Sequence, residues 1–295
     1  MSFDGILGNA AALDRLRGLL AGGRMAHAYL FAGPDGVGKK LAAAAFAKAL
    51  GVVPRVVSRP EDKHEVLIAQ VREVIHELGF VSKERRVVIF DDADRMSEEA
   101  MNALLKTLEE PPEGTLILLV SSAPQKLLPT IRSRCQTVLF HPLDDGEIVR
   151  FLKSKGVEDG PARAAAVLAG GSIGAAAGLV PDLAETLGLA RELQLRVLAG
   201  ELNSIVEALG KIRDTEQARD RARRELRILV HCLRESLRSK SGQEPALATG
   251  EFVARMSALA DEEILERIES LIDHERAIDL NANVPLAVED ALLRL

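Results

Sequence analysis

The stretch Gly33-Pro34-Asp35-Gly36-Val37-Gly38-Lys39-Lys40 restricts the fold of this chain more than any other. It follows the pattern G-x-x-x-x-G-K, which in a complete phosphate-binding loop continues with Ser or Thr. Such a loop joins a strand to a helix, because its glycines let backbone N–H groups wrap a phosphate at the helix N-terminus. The apolar run 28–32 and the Ala-rich run 39–50 on either side supply that strand and that helix. The Lys of the motif reaches the β/γ-phosphates and the hydroxyl holds Mg²⁺. Lys40 stands in the hydroxyl's place, and an ammonium has three donors and no lone pair for a metal. Gly33, Gly36, Gly38 and Lys39 therefore make a phosphate loop, while Lys40 removes part of what hydrolysis needs.

The alternation extends beyond this unit. Runs 28–32, 55–58, 87–90, 116–121 and 137–140 read as strands, several apolar on both faces, as in a parallel sheet covered by helices. Runs 9–20, 39–50, 67–78 and 98–110 read as the intervening helices, the last with Ser97 as N-cap, Glu98 and Glu99 in its first turn, and Pro111-Pro112 as its stop. After Pro142 come small Ala/Gly-rich helices broken at Gly170-Gly171 and Gly174, and beyond 182 the pattern is purely helical. Leu226, Leu229, Val230, Leu233 and Leu237 keep the spacing of one apolar helix face. The expected architecture is α/β then all-α: a domain over 1–142 with a parallel five-stranded sheet, a small helical domain over 143–182, and a helical domain over 183–295.

Composition narrows the function classes. A net charge of −6 argues against a chain that coats nucleic acid by itself, and with one tyrosine and no tryptophan an aromatic base-stacking platform is not expected. Cys135 and Cys232 are too few for a disulfide framework or a four-cysteine zinc site. No apolar N-terminal segment resembles a signal peptide and no uncharged run approaches a membrane span, so a reducing cytoplasm is expected. The six histidines lack metal-ligand spacing, and His27 and His141 read as ordinary residues beside strands.

A second motif, Val87-Val88-Ile89-Phe90-Asp91-Asp92-Ala93-Asp94, ends a buried strand in acids. That places carboxylates at the carboxyl edge of a parallel sheet, where phosphates dock. In an active P-loop ATPase the first acid helps hold Mg²⁺, and a following Glu often orients the attacking water. Asp92 stands at that second position one methylene short, and a misplacement of about 1 Å can cost about 100-fold in rate.

His27-Ala28-Tyr29-Leu30-Phe31, the Asp91-Asp92-Ala93-Asp94 box, Asn102–Pro112 (NALLKTLEEPP) and Leu128-Pro129-Thr130-Ile131-Arg132-Ser133-Arg134-Cys135 together resemble the bacterial clamp-loader AAA+ subunits of DNA polymerase III, the delta-prime subunits most closely. The similarity covers the first domain densely and returns at Asn283-Val284-Pro285-Leu286-Ala287 and 292–295, which resemble the family's closing helix. The resemblance implies an AAA+ domain over 1–142, a lid over 143–182 and an oligomerising collar over 183–295. It implies that Arg134 of the Ser133-Arg134-Cys135 motif projects into the ATP site of a neighbouring subunit, with Cys135 a packed apolar residue. It places Ser122, with Ser121, where a sensor bonds the γ-phosphate or attacking water. In the second sensor region, 170–175, active loaders commonly carry an Arg where this chain has Ala175 or its neighbours. Many family members also carry a four-cysteine zinc module after the P-loop helix; residues 50–63 hold no cysteine, so no zinc is expected.

The expectation is therefore a stator of a replicative clamp loader. It supplies Arg134 in trans, requires no cofactor of its own, and takes ATP or ADP weakly if at all. Its partners would be gamma/tau and delta subunits, with sliding clamp and primer–template DNA met through the assembled complex and no membrane. The competing expectation is an ATP-hydrolysing gamma/tau-like motor, since Gly33, Gly36, Gly38 and Lys39 are intact; a helicase loader is a third. The arginines of 219–240 could meet DNA phosphates, but Asp220, Glu225 and Glu235 interleave with them as on a solvated helix of paired charges.

Overall fold

The computed structural model describes residues 3–295 except 61, 62, 64, 81–83, 213, 214 and 281, so part of the 50–63 stretch lies outside the described residues. The chain divides into two compact units, one formed by 1–147 with 171–175 and the other by 148–170 with 176–295.

The first unit alternates helix and strand as α1 (Ala10–Leu20), β1 (Ala28–Ala32), α2 (Lys39–Ala49), β2 (Arg55–Val57), α3 (Ile68–Gly79), β3 (Arg86–Phe90), α4 (Glu98–Glu109), β4 (Thr115–Ser121), α5 (Pro129–Arg132) and β5 (Gln136–Leu139). The five strands form one parallel sheet in the order β2-β3-β4-β1-β5. Both faces are buried, and the side chains alternate between them with the strand period of two. Leu30, Val88, Phe90, Ile117 and Leu119 pack on one side with α3 and α4. Tyr29, Phe31, Val87, Ile89, Leu116 and Leu118 pack on the other with α1 and α2. The expected strands are all present, each within a residue of its expected bounds. Ser97 caps α4 by accepting the Ala100 N–H at 3.2 Å.

Two local features bring the ends of β1 and β5 together. Phe140 N–H donates to Ala32 O at 2.7 Å. A Cβ on Gly33 would lie 2.2 Å from Phe140 O, so only glycine fits there. Asn9, at φ 51°, clamps the N-terminal segment to this corner through both side-chain atoms, accepting from His141 N–H at 2.6 Å and donating to His141 O at 3.1 Å.

The helices that follow are α6 (Asp145–Ser154), α7 (Asp159–Ala169), α8 (Ile173–Leu179), α9 (Leu183–Ala199), α10 (Leu202–Gly210), α11 (Thr215–Ser239), α12 (Gly250–Ser257), α13 (Asp261–Asp279) and α14 (Val284–Leu293). In the second unit α11 forms the axis. Leu226, Leu229, Val230 and Leu233 are buried in the core that α9, α10, α12, α13 and α14 complete, with Leu237 partly buried at its edge.

The expectation of a solvated α11 needs correction. Arg223 does pair with Asp220 and with Asp279, each at 2.8 Å, and Arg227 pairs with Glu275. Glu225 and Glu235, however, are only 2% and 5% exposed. Glu225 is held by Arg221 Nε at 2.8 Å. Glu235 accepts three backbone N–H groups from 246–248. One helical stretch, Ile173–Ala199, is by length and composition apolar enough to cross a membrane. Its α9 portion buries Leu183, Ala190 and Leu193.

Candidate phosphate-binding site

Three adjacent strands, β3, β4 and β1, deliver the expected residues to one edge of the sheet. Strand β1 runs into the glycine loop, β3 into Asp91 and Asp92, and β4 into Ser121 and Ser122. Together they line a cavity of about 370 Å³ that includes Gly36, Gly38, Lys39, Lys40, Asp91, Asp92 and Ser122. A larger recess of about 690 Å³ lies at the opposite end of β2 and β3, beside Val53, Arg55 and Arg86, and holds none of the glycine-loop residues or the aspartates of the second motif. The smaller cavity has the chemistry.

Gly36 and Gly38 take φ of 71° and 94°, which turn the loop into the start of α2. The segment 172–174 packs directly on that loop. Gly174 N–H donates to Gly36 O at 3.2 Å, and a Cβ on Gly36 would fall 2.0 Å from Ser172 Oγ. Ser172 Oγ in turn accepts the Ala175 N–H at 3.1 Å. Glycine at position 36 thus serves two purposes, the backbone turn and the close approach of 172–174. No arginine from 170–175 enters the cavity, since that segment contains none.

Lys39 is 5% exposed. Its ammonium donates to Gly33 O at 2.7 Å and Pro34 O at 2.5 Å, with Asp35 Oδ1 at 3.8 Å. Burial lowers its pKa from the usual lysine value, against the pull of four nearby aspartates led by Asp35. Lys40, more than half exposed, reaches across to Asp91 Oδ2 at 2.7 Å.

Asp92 sits at φ 52°, a left-handed conformation strained for a non-glycine residue. Its carboxylate is 3.8 Å from Arg59 Nε, a buried nitrogen with no hydrogen bond of its own. Burial, and then the charge of Asp91, raise the Asp92 pKa. Asp94 faces β4, where it accepts Ser122 N–H at 2.9 Å and the Ser122 hydroxyl at 3.4 Å. Its pKa is lowered: burial alone would raise it, and hydrogen bonding from the Ser121 side chain and from backbone N–H groups outweighs that. Ser122 thus lines the cavity while its hydroxyl is engaged by an acid of the same box.

Nucleotide phosphates fit the glycine loop and Lys39. Mg²⁺ does not fit. It requires oxygen ligands in octahedral array, and the side chain at position 40 is a cation already seated on the carboxylate that would bind the metal. Among the described residues no group of three or more His, Cys, Asp or Glu is arranged to hold a metal ion.

Arg134 is not brought to this cavity. It lies between α5 and β5, one-third exposed. Its guanidinium donates to Glu109 Oε1 at 2.6 Å, to Thr130 O at 3.0 Å and to Ser133 Oγ at 3.4 Å. Cys135 beside it packs against the sheet core, and burial pushes its thiol up to about 12. The charges paired with Lys40, Asp92 and Arg134 (Asp91, Arg59 and Glu109) are neighbours that reading along the chain did not pair. Opposite sign within each pair was the only signal.

Fold and motif together define a parallel α/β domain with a P-loop-like glycine loop. In agreement, the fold is similar to Thermotoga maritima RuvB, with a TM-score of 0.51 over 74% of this chain and 87% of that one at 20% identity. Residues 51–144 match the family described as DNA polymerase III, delta subunit. The chain is 38% identical over 145 residues to DNA polymerase III subunit delta' of Pseudomonas aeruginosa, covering 39% of this chain and 43% of that protein. It is 38% identical over 143 residues to subunit delta' of Bacillus subtilis, covering 41% and 44%, and 33% identical over 174 residues to subunit tau/gamma of Haemophilus influenzae, covering 51% and 25%. Residues 51–144 and the matched regions are thus similar to bacterial DNA polymerase III clamp-loader subunits. The matches span less than half the length of these relatives, and delta' and tau/gamma proteins are matched alike.

Proposed function

We propose that this chain is the delta-prime-like stator of a replicative clamp loader, which does not hydrolyse ATP at its own P-loop and supplies Arg134 in trans to a neighbouring ATPase subunit. The observation that carries this is the Lys40–Asp91 ion pair at 2.7 Å: the two positions that would share Mg²⁺ are joined to each other. The shortened acid at Asp92 and the absence of arginine from 170–175 point the same way. Arg134, held by Glu109 and partly exposed, is presented outside the chain's own cavity, as a residue acting on another subunit must be. A guanidinium is always charged and binds phosphate bidentately.

On this reading residues 143–182 serve as a lid and 183–295 as the collar that joins gamma/tau and delta subunits in the cytoplasm. Clamp and primer–template DNA are met through the assembled complex, and no zinc or other cofactor is required. The competing reading, a gamma/tau-like motor, is favoured by the intact Gly33, Gly36, Gly38 and Lys39. Steady-state hydrolysis of Mg-ATP by the purified chain separates the two. The stator shows no turnover above that of a Lys39→Ala control, whereas turnover abolished by Lys39→Ala would make the chain a motor.

A further inference from the structure

The place of the divalent cation in this P-loop is taken by a side chain. Lys40 Nζ, on the first turn of α2, lies 2.7 Å from Asp91 Oδ2 and is more than half exposed. An ammonium carries three donors. One is spent on Asp91, and two remain for oxygens entering the cavity. Behind it Lys39 brings a second ammonium, with two donors on the carbonyls of Gly33 and Pro34.

Charge decides what such a cavity accepts. Lys39 and Lys40, with Arg59 beside Asp92, face the carboxylates of Asp91, Asp92 and Asp94 and that of Asp35 at the rim, so that without Lys40 the acids outnumber the cations by two. A complete P-loop without its metal sets its lysine and backbone N–H groups against acids of this kind, and Mg²⁺ supplies further positive charge. Here Lys40 supplies a fixed positive charge in advance. A ligand that carries Mg²⁺ meets the reverse situation. Its metal finds no hydroxyl at position 40, must displace Lys40 from Asp91, and then lies against a displaced ammonium of like charge.

We propose that this cavity binds a nucleoside di- or triphosphate without a divalent cation, the Lys40 ammonium standing in for the metal, and that Mg²⁺ weakens rather than strengthens the binding. The proposal rests on the glycine loop being a phosphate site, and not on the role assigned to Arg134. It also gives a reason why a stator of this kind would not hydrolyse ATP. An ammonium can neutralise phosphate charge, but it does not bridge phosphate and carboxylate oxygens in an octahedral shell.

The test is calorimetric titration of the full chain with ADP, in EDTA and in MgCl₂ at matched ionic strength, for the natural sequence, Lys40→Thr and Lys40→Arg. The natural chain should bind ADP in EDTA and bind it no more tightly with Mg²⁺. Lys40→Arg should keep metal-free binding. Lys40→Thr should lose about tenfold in EDTA, the value of one charge-assisted hydrogen bond at a partly exposed site, and should regain affinity when Mg²⁺ is added. Position 40 is exposed on a helix, and matched melting temperatures would confirm that the variants fold. ADP binding that requires Mg²⁺ would overturn the proposal. So would no binding under either condition, an outcome that leaves the stator role standing, whereas ATP turnover by the chain would overturn that role instead.

Discussion

Replacing Glu235 by alanine removes a carboxylate that organises the approach to α12. Its two oxygens accept the N–H groups of Ala246 at 2.7 Å, Leu247 at 2.9 Å and Ala248 at 2.7 Å. Leu247 and Ala248 are 7% and 8% exposed, so water reaches their amides poorly once the acceptor is gone. A hydrogen bond to a charged group is worth about 1.5–3 kcal/mol, and a buried donor left unmet costs its desolvation. With Ala246 half-buried and the natural carboxylate itself desolvated, the net loss for Glu235→Ala is about 3–5 kcal/mol. In a unit of this size each kcal/mol moves the melting temperature by about 2–4 °C, so a fall of about 6–20 °C is expected. Glu235→Gln keeps one acceptor oxygen but turns an NH₂ toward a backbone donor, and should fall in between. Differential scanning calorimetry gives the shift, and amide exchange at 246–248 shows whether the loop is its source. A Glu235→Ala chain melting within about 2 °C of the parent, with those three amides still protected, would refute the reasoning.

The remaining predictions concern protonation and the glycine loop. Burial, and then Arg234, Arg238 and Arg227, lower the His231 pKa from 6.5 to about 4. The unfolded chain therefore binds a proton between those values that the folded chain does not, and stability is full above pH 6.5 and lost as pH falls toward 4. For a mostly buried group the loss is about 2–3 kcal/mol; His231→Gln should flatten that slope in urea unfolding, and an unchanged slope would assign it to other groups. Gly36→Ala should destabilise the first unit by about 1–3 kcal/mol, from its left-handed φ and the contact with Ser172 Oγ. Ser172→Ala should restore part of that loss, and no restoration in the double variant would show the contact is not the cause.

The sheet was legible because parallel strands buried on both faces leave runs such as 28–32 and 116–121 that nothing else explains. Ser97 and the glycine loop were legible because their signals are local. Glu225 and Glu235 were misread because charged residues around them gave the look of a solvated helix. The spacing of Glu225 with Leu229 and of Glu235 with Cys232 and Ile228 already put both acids on buried positions of α11. At the site, residue types and their common sheet edge followed from the motifs. The contacts of Lys40 with Asp91, Arg134 with Glu109 and Ser172 with Gly36 join positions 25 or more residues apart, and no local pattern encodes them.

The central claim is that this chain serves a neighbour's ATP rather than its own. The most direct test is DNA-stimulated steady-state ATPase of a reconstituted clamp loader in which this chain alone carries either Lys39→Ala or Arg134→Ala. An arginine finger is typically worth roughly 10³–10⁵ in rate at the site it serves. The account predicts that Lys39→Ala leaves the rate unchanged and that Arg134→Ala abolishes the share of hydrolysis at the adjoining site. A loader slowed by Lys39→Ala and indifferent to Arg134→Ala would contradict it.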